Sequence, residues 1–373
     1  MTQQRNLRFI FLLLALLGFG TWQILREYRP RFLTPGARLY AYVANAGDGT
    51  VSVVDLVALS TISTIPVGPA PSGLRALPSR KEIWGVSTEG GYVWIINAVE
   101  GKVSARVHVG SSPFALEFSR DGRRAYIAAS GANTLVAIDT ATKQIVRRAR
   151  TGRQPWLARI TPDSRIVVVP SREDSTLELF DAETLVSVAT VGVAAHPEQV
   201  VILPDSSEAF VSASDANQIS AVDLRRRVLL ANLQLGGAPD TMILKPDGGE
   251  LYVSIPQLHS IEIINTRTTE VEESMLVGLA PTDGVLTSNA DLLYFSDSAA
   301  GRVLPIVINQ RHLESPIAVG RQPLTCRMDP SGELLLVSNQ GSNDLAVIRV
   351  RTSSLLTMVP VGSRPTDVVA MLF

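Results

Sequence analysis

The chain has 373 residues, 46% of them hydrophobic, and a formal net charge of −1 with a pI near 6.5. Without a clustered excess of cations it cannot wrap nucleic acid non-specifically, so no nucleic-acid partner is expected. One cysteine, Cys326, rules out an internal disulfide and any Cys-x-x-Cys zinc or haem-attachment motif, and the four histidines are too scattered for a local metal motif.

In chain order, residues 1–8 form a cationic n-region carrying Arg5 and Arg8, followed by an apolar run over residues 9–25. As a helix this run would span roughly 26 Å, slightly less than a bilayer core, and Phe9 to Gly20 has the length of a signal-peptide h-region. The cleavage pattern is poor, so an uncleaved signal anchor is preferred to a cleaved signal peptide. Residues 26–38 read as a linker. Arginines flank the run on both sides, which leaves the positive-inside rule undecided, but long domains translocate regardless of such charges. The expected location is extracytoplasmic, in the periplasm or at the cell surface, with the membrane as a partner through an inner-membrane anchor.

From residue 39 to 373 one unit repeats. Pro71, Pro113, Pro155, Pro197, Pro239, Pro281, Pro323 and Pro365 stand at intervals of 42 residues. A large side chain recurs thirteen residues later (Trp84, Tyr126, Val168, Phe210, Tyr252, Tyr294, Leu336), and an Asx column runs Asp55, Asn97, Asp139, Asp181, Asp223, Asn265 before lapsing at Val307 and Arg349. Each unit reads as four short strands separated by turns, with no helical periodicity. Strands apolar almost throughout imply sheets stacked face to face, and such units in series specify a β-propeller. Residues 39–67 supply a second, third and fourth strand, and residues 366–373 only a first. An all-β propeller of eight blades is therefore predicted, the last shared between the chain ends, with seven blades as the alternative count. Pro305 falls inside a third strand, where its missing N–H predicts a bulge.

The units resemble the YVTN family of propeller repeats through Tyr42-Val-Ala-Asn45 with Thr50-Val-Ser-Val-Val-Asp55, Val109-Gly-Ser-Ser-Pro113, Asn133-Thr-Leu-Val-Ala-Ile-Asp139, Pro246-Asp-Gly248 and Val319-Gly-Arg-Gln-Pro323. The likeness spans about nine-tenths of the chain. It implies an exported or surface-layer propeller, distantly similar to the propeller of haem d1 nitrite reductases, and it says little about activity because the matching positions are turns and core.

Ligands on propellers favour the mouth of the channel, where the inter-blade connections and the loops between second and third strands meet. Candidate ligand residues there are Arg153, Gln154, Trp156, Arg172, His196, Glu198, Arg321 and Gln322. Arg forks backed by an aromatic ring suit a small anionic or carbohydrate-like ligand. Glycine spacing around Gly192 suggests a fourth strand shortened by two residues and a compensating longer loop that presents His196. Four residues past the prolines, Arg75, Glu117, Arg159 and Arg327 predict a charge ladder near the channel, with structural pairing as its first role. No catalytic signature and no cofactor or metal is expected. The leading reading is a ligand- or protein-binding scaffold; the alternative is a propeller enzyme, either a lactonase-like hydrolase or a cofactor-dependent oxidoreductase.

Overall fold

The computed structural model describes residues 38–373, so the apolar segment 9–25 and most of the linker lie outside the described residues. Eight antiparallel sheets follow one another, and the innermost strand of each touches the neighbouring blade, closing a cycle. Blades are numbered here from the proline that opens each, so blade 1 comprises Pro71–Leu77, Glu82–Ser87, Tyr92–Asn97 and Lys102–His108 from the channel outwards.

Blade 8 is built from both ends of the propeller. Pro365–Leu372 pairs with Leu39–Asn45 over seven residues, followed outwards by Thr50–Asp55 and Ser60–Pro66. Arg38 and Phe373 exchange backbone hydrogen bonds of 2.7 and 2.9 Å, and the Tyr40 and Phe373 rings meet edge to face at 5.5 Å. The count is eight because every blade needs an innermost strand, and only the carboxyl end can supply the last one.

The repeated columns have physical roles. In six blades the Asx Oδ1 accepts the backbone N–H groups two and three residues on, closing the turn between third and fourth strands, as Asp139 does for Ala141 and Thr142 at 3.0 and 2.8 Å. Where the column lapses, the turn becomes a 3-10 helix instead, Ile308–Gln310 and Val350–Thr352. The aromatic column is buried between blades: Tyr126 Oη donates to Ala182 O in the next blade at 2.8 Å, and Tyr294 Oη to Val350 O at 3.3 Å.

Face-to-face burial holds for the middle strands and fails for the outermost. In Glu270–Leu276 only Met275 is buried, because wedge-shaped blades diverge away from the axis.

The expected strand shift at Gly192 is not found. Thr176 pairs with Gly192 and Leu177 with Val191, as Thr134 and Leu135 pair with Arg150 and Ala149 one blade earlier. The strand ends in phase and the loop to Pro197 keeps its length; Ser187–Gly192 is one residue shorter than Gln144–Arg150, at its start and not at Gly192. Gly192 belongs to a different column, and Ala194 occupies the one held elsewhere by Gly152 and Gly236. A Cβ at Gly152 would lie 2.7 Å from Asp174 Oδ2. Blade 4 carries the smaller Ala216 at the position corresponding to Asp174, which leaves room for the Ala194 methyl.

Pro305 keeps register with Tyr294. The outermost strand of its blade is broken into His312–Leu313 and Ile317–Ala318, the gap lying opposite the proline. Other blades carry a register shift at this same point, so the proline occupies a position where pairing is already weak.

Candidate functional site

Trp156 is the residue after the blade 3 proline, and Phe114 stands at the same place in blade 2. Their rings stack at 4.2 Å with 25° between planes. The Arg172 guanidinium, carried on the loop between second and third strands of blade 3, lies 3.3 Å from the Trp156 ring centroid. Two groups cannot share one ring face, so Trp156 is sandwiched between them. Arg172 Nη2 then reaches Glu198 Oε1 of blade 4 at 2.6 Å. Burial pulls the Arg172 guanidinium below its ordinary pKa, with Glu198 opposing, and its buried Nε has no hydrogen-bond partner among the described residues. Phe114 leaves 41% of its surface in solvent.

His196 flanks this stack. Its Nδ1 lies 3.4 Å from Glu198 Oε1, 3.4 Å from Ser214 Oγ and 3.8 Å from Asp215 Oδ1. A hydrolytic relay divides the two ring nitrogens between nucleophile and acid. Here hydroxyl and carboxylates crowd the same nitrogen, which is not relay geometry.

Of the eight mouth residues singled out from sequence, Trp156, Arg172, His196 and Glu198 come together. Arg153 and Gln154 do not. Arg153 pairs with Asp174 at 2.7 Å and Gln154 with Glu173, on the exposed loop of their own blade. Arg321 and Gln322 sit on blade 7, across the ring, and both are exposed. Sequence reasoning missed Phe114, although its column position beside Trp156 was a usable signal.

The channel charges form a longer run than the sequence suggested. Arg159 Nη1 meets Glu117 Oε2 at 2.7 Å, and Arg75 Nη2 approaches the same oxygen at 3.9 Å. Arg327 bridges Asp283 at 2.6 Å and Asp367 at 3.7 Å. Asp367 also acts electrostatically on Arg75, whose guanidinium burial depresses. From blade 6 through blades 7, 8, 1 and 2 to blade 3, Asp283, Arg327, Asp367, Arg75, Glu117 and Arg159 therefore alternate in sign. Three cations offset three anions, so the belt stitches blades together rather than attracting a charged ligand. The missing members stand two residues past the proline, not four, which hid them in the sequence.

Blades 4 and 5 interrupt the belt with Val201 and Ile243. Asp240 lies at the mouth of blade 5. Burial, then Asp283 and Glu198, raise its carboxyl to about 6. A folded pKa above the unfolded value gives stability that is complete below about pH 4 and lost as pH rises through about 6. Asp240→Asn should therefore raise the melting temperature at pH 7.5, by the equivalent of roughly 3 kcal/mol, and leave it unchanged near pH 4. Equal melting of both proteins at pH 7.5 would contradict the assignment.

Residues 85–238 match the family model of the Choice-of-anchor I domain, short of half the chain. No curated protein matches the sequence significantly. Solved structures do match. Dihydro-heme d1 dehydrogenase NirN in complex with DHE superposes with a TM-score of 0.75 at 16% identity, covering 91% of this chain and 77% of that one. Kuenenia stuttgartiensis hydrazine synthase gives 0.62 at 18% identity, covering 75% and 95%. The Cps50 (Swd1) β-propeller domain of Myceliophteria thermophila gives 0.61 at 14%, covering 75% and 97%. At these identities the likeness establishes the β-propeller fold alone.

Proposed function

We propose that this protein is an exported, membrane-tethered propeller of the YVTN type that works as a binding module, taking a small anionic or carbohydrate-like ligand at the channel mouth over blades 2 to 4. The observation that carries the reading is the Phe114–Trp156–Arg172–Glu198 stack. It leaves Phe114 partly open to solvent at one end and, at the other, a guanidinium whose buried Nε–H has no hydrogen-bond partner among the described residues. An aromatic face accepts the apolar side of a sugar ring, and a guanidinium edge accepts a carboxylate. The crowding of Glu198, Asp215 and Ser214 on His196 Nδ1, which is not a divided acid–base pair, supports reading the site as one that binds.

Galacturonate combines both chemistries and is the first probe. Titrated calorimetrically into the full chain in detergent, it should bind, and Phe114→Ala or Arg172→Leu should weaken binding at least tenfold with melting preserved. Equal affinity in both variants would remove the site. The export half of the proposal rests on residues 1–25. Alkaline phosphatase fused after Phe373 should be active in cells, and an inactive fusion of full length would place the propeller on the other side of the membrane.

A further inference from the structure

A second site lies on the face opposite the mouth, between blades 2 and 3. A cavity of about 660 Å³ opens there, lined by Arg120, Arg124, Tyr126, Ser164, Ala182 and Glu183 among others. Its centre of interest is Arg124, which opens the second strand of blade 2. Arg124 Nη1 is wholly buried without a hydrogen-bond partner, and no ion pair of this side chain occurs among the described residues.

The repeat shows what is missing. At the corresponding position, Glu82 of blade 1 meets Lys143 Nζ of blade 2 at 2.9 Å, and Glu250 of blade 5 meets Arg311 Nη2 of blade 6 at 2.6 Å. Each counter-charge stands four residues past the Asx column of the following blade. For Arg124 that place belongs to Leu185, which is buried and apolar. The neighbouring aromatic hydroxyl is also withdrawn. Tyr252 Oη bonds Glu250 at 2.5 Å, whereas Tyr126 Oη bonds Ala182 O at 2.8 Å.

Other carboxylates nearby are committed. Asp139 lies across the strand pair from Arg124 and feels its charge, but the two make no ion pair, and the Asp139 Oδ1 is held by the N–H groups of Ala141 and Thr142. Asp121 is held by Arg123 at 2.5 Å and by Ser119 at 2.7 Å. Glu208 in blade 4 also lacks a counter-charge among the described residues, and burial raises its pKa. A carboxyl can answer burial by taking a proton; a guanidinium cannot shed one. Arg124 needs an anion.

We infer that this cavity binds a small organic carboxylate, whose two oxygens take the place of the counter-ion that Lys143 and Arg311 exemplify at the related inter-blade positions. A planar carboxylate suits the guanidinium fork, and a monoanion is favoured over phosphate because Asp121, Asp139 and Glu183 offset Arg120, Arg123 and Arg124 around the same space.

Pyruvate and inorganic phosphate are the probes, tested on the full chain. Saturation-transfer NMR should detect pyruvate binding to the natural protein and lose it in Arg124→Leu. Leu185→Glu, which supplies the internal carboxylate, should also abolish it. Should Arg124→Leu not fold, Arg124→Lys keeps the charge without the fork and should weaken binding at least tenfold. Loss of pyruvate binding in Arg172→Leu, at the mouth, with binding retained in Arg124→Leu would put the anion at the other site and overturn the inference. Undiminished binding in Arg124→Lys and Leu185→Glu would overturn it as well. Arg124-dependent thermal stabilisation by phosphate equal to that by pyruvate would overturn the carboxylate assignment.

Discussion

Removing residues 365–373 is expected to abolish cooperative folding of the propeller. The lost strand makes all seven innermost pairs of blade 8. It also takes Val368 and Ala370 out of one core cluster and Met371 out of the next, opening both faces of the blade. Large buried apolar side chains contribute about 1.5–3 kcal/mol each, and the ladder hydrogen bonds of Leu39–Asn45 would be left unpaired. The sum is comparable with the whole stability of an ordinary domain, about 5–15 kcal/mol. An exposed strand edge lined by Leu39, Ala41 and Val43 would then invite aggregation. Calorimetry of the truncated chain should show no cooperative transition, with aggregates by light scattering. A sharp transition within a few degrees of the full chain would mean that the ring does not depend on this closure.

Asp367→Ala should be the most damaging single substitution in the channel, at about 3 kcal/mol. Asp367 is 7% exposed and performs two tasks. Its Oδ2 accepts the Leu74 N–H of blade 1 at 2.9 Å, and its Oδ1 lies 3.7 Å from Arg327 of blade 7. Alanine leaves a buried N–H unsatisfied and takes one of its two acids from Arg327, while Asp283 still holds the other side. Asparagine keeps an oxygen for Leu74 and loses only the charge, so it should cost roughly half as much. Denaturant midpoints with unchanged slopes would measure both. Identical midpoints for Ala and the natural protein would show that the alternating belt contributes nothing to closure.

Much of the fold was legible because a repeat multiplies weak signals. The proline, aromatic and Asx columns each occur six to eight times, and each corresponds to a local act: resetting the chain at the mouth, filling the inter-blade seam, and capping a turn. The Gly192 reading failed for the complementary reason. It weighed one residue type alone, and glycine is set by the space left by its neighbours, which at Ala194 depends on a side chain 22 residues further on.

The candidate site was half legible. Trp156, Arg172, His196 and Glu198 could be grouped because they share a face of the repeat, which phase alone dictates. Arg153 and Gln154 share that face too, yet they turn to Asp174 and Glu173 on their own exposed loop. Phase places a residue on a blade and an end; it does not choose among several partners within reach of a long side chain.

The architecture can be read along the chain: four strands per unit, eight units, and a ring joined through both chain ends. Those features follow from local propensity and periodicity, which need no knowledge of contacts. Which charges meet is set by how the blades pack. The alternating belt, and an Arg124 left without an ion pair among the described residues, depend on side chains from different blades meeting across a seam, at separations set by packing rather than by order along the chain.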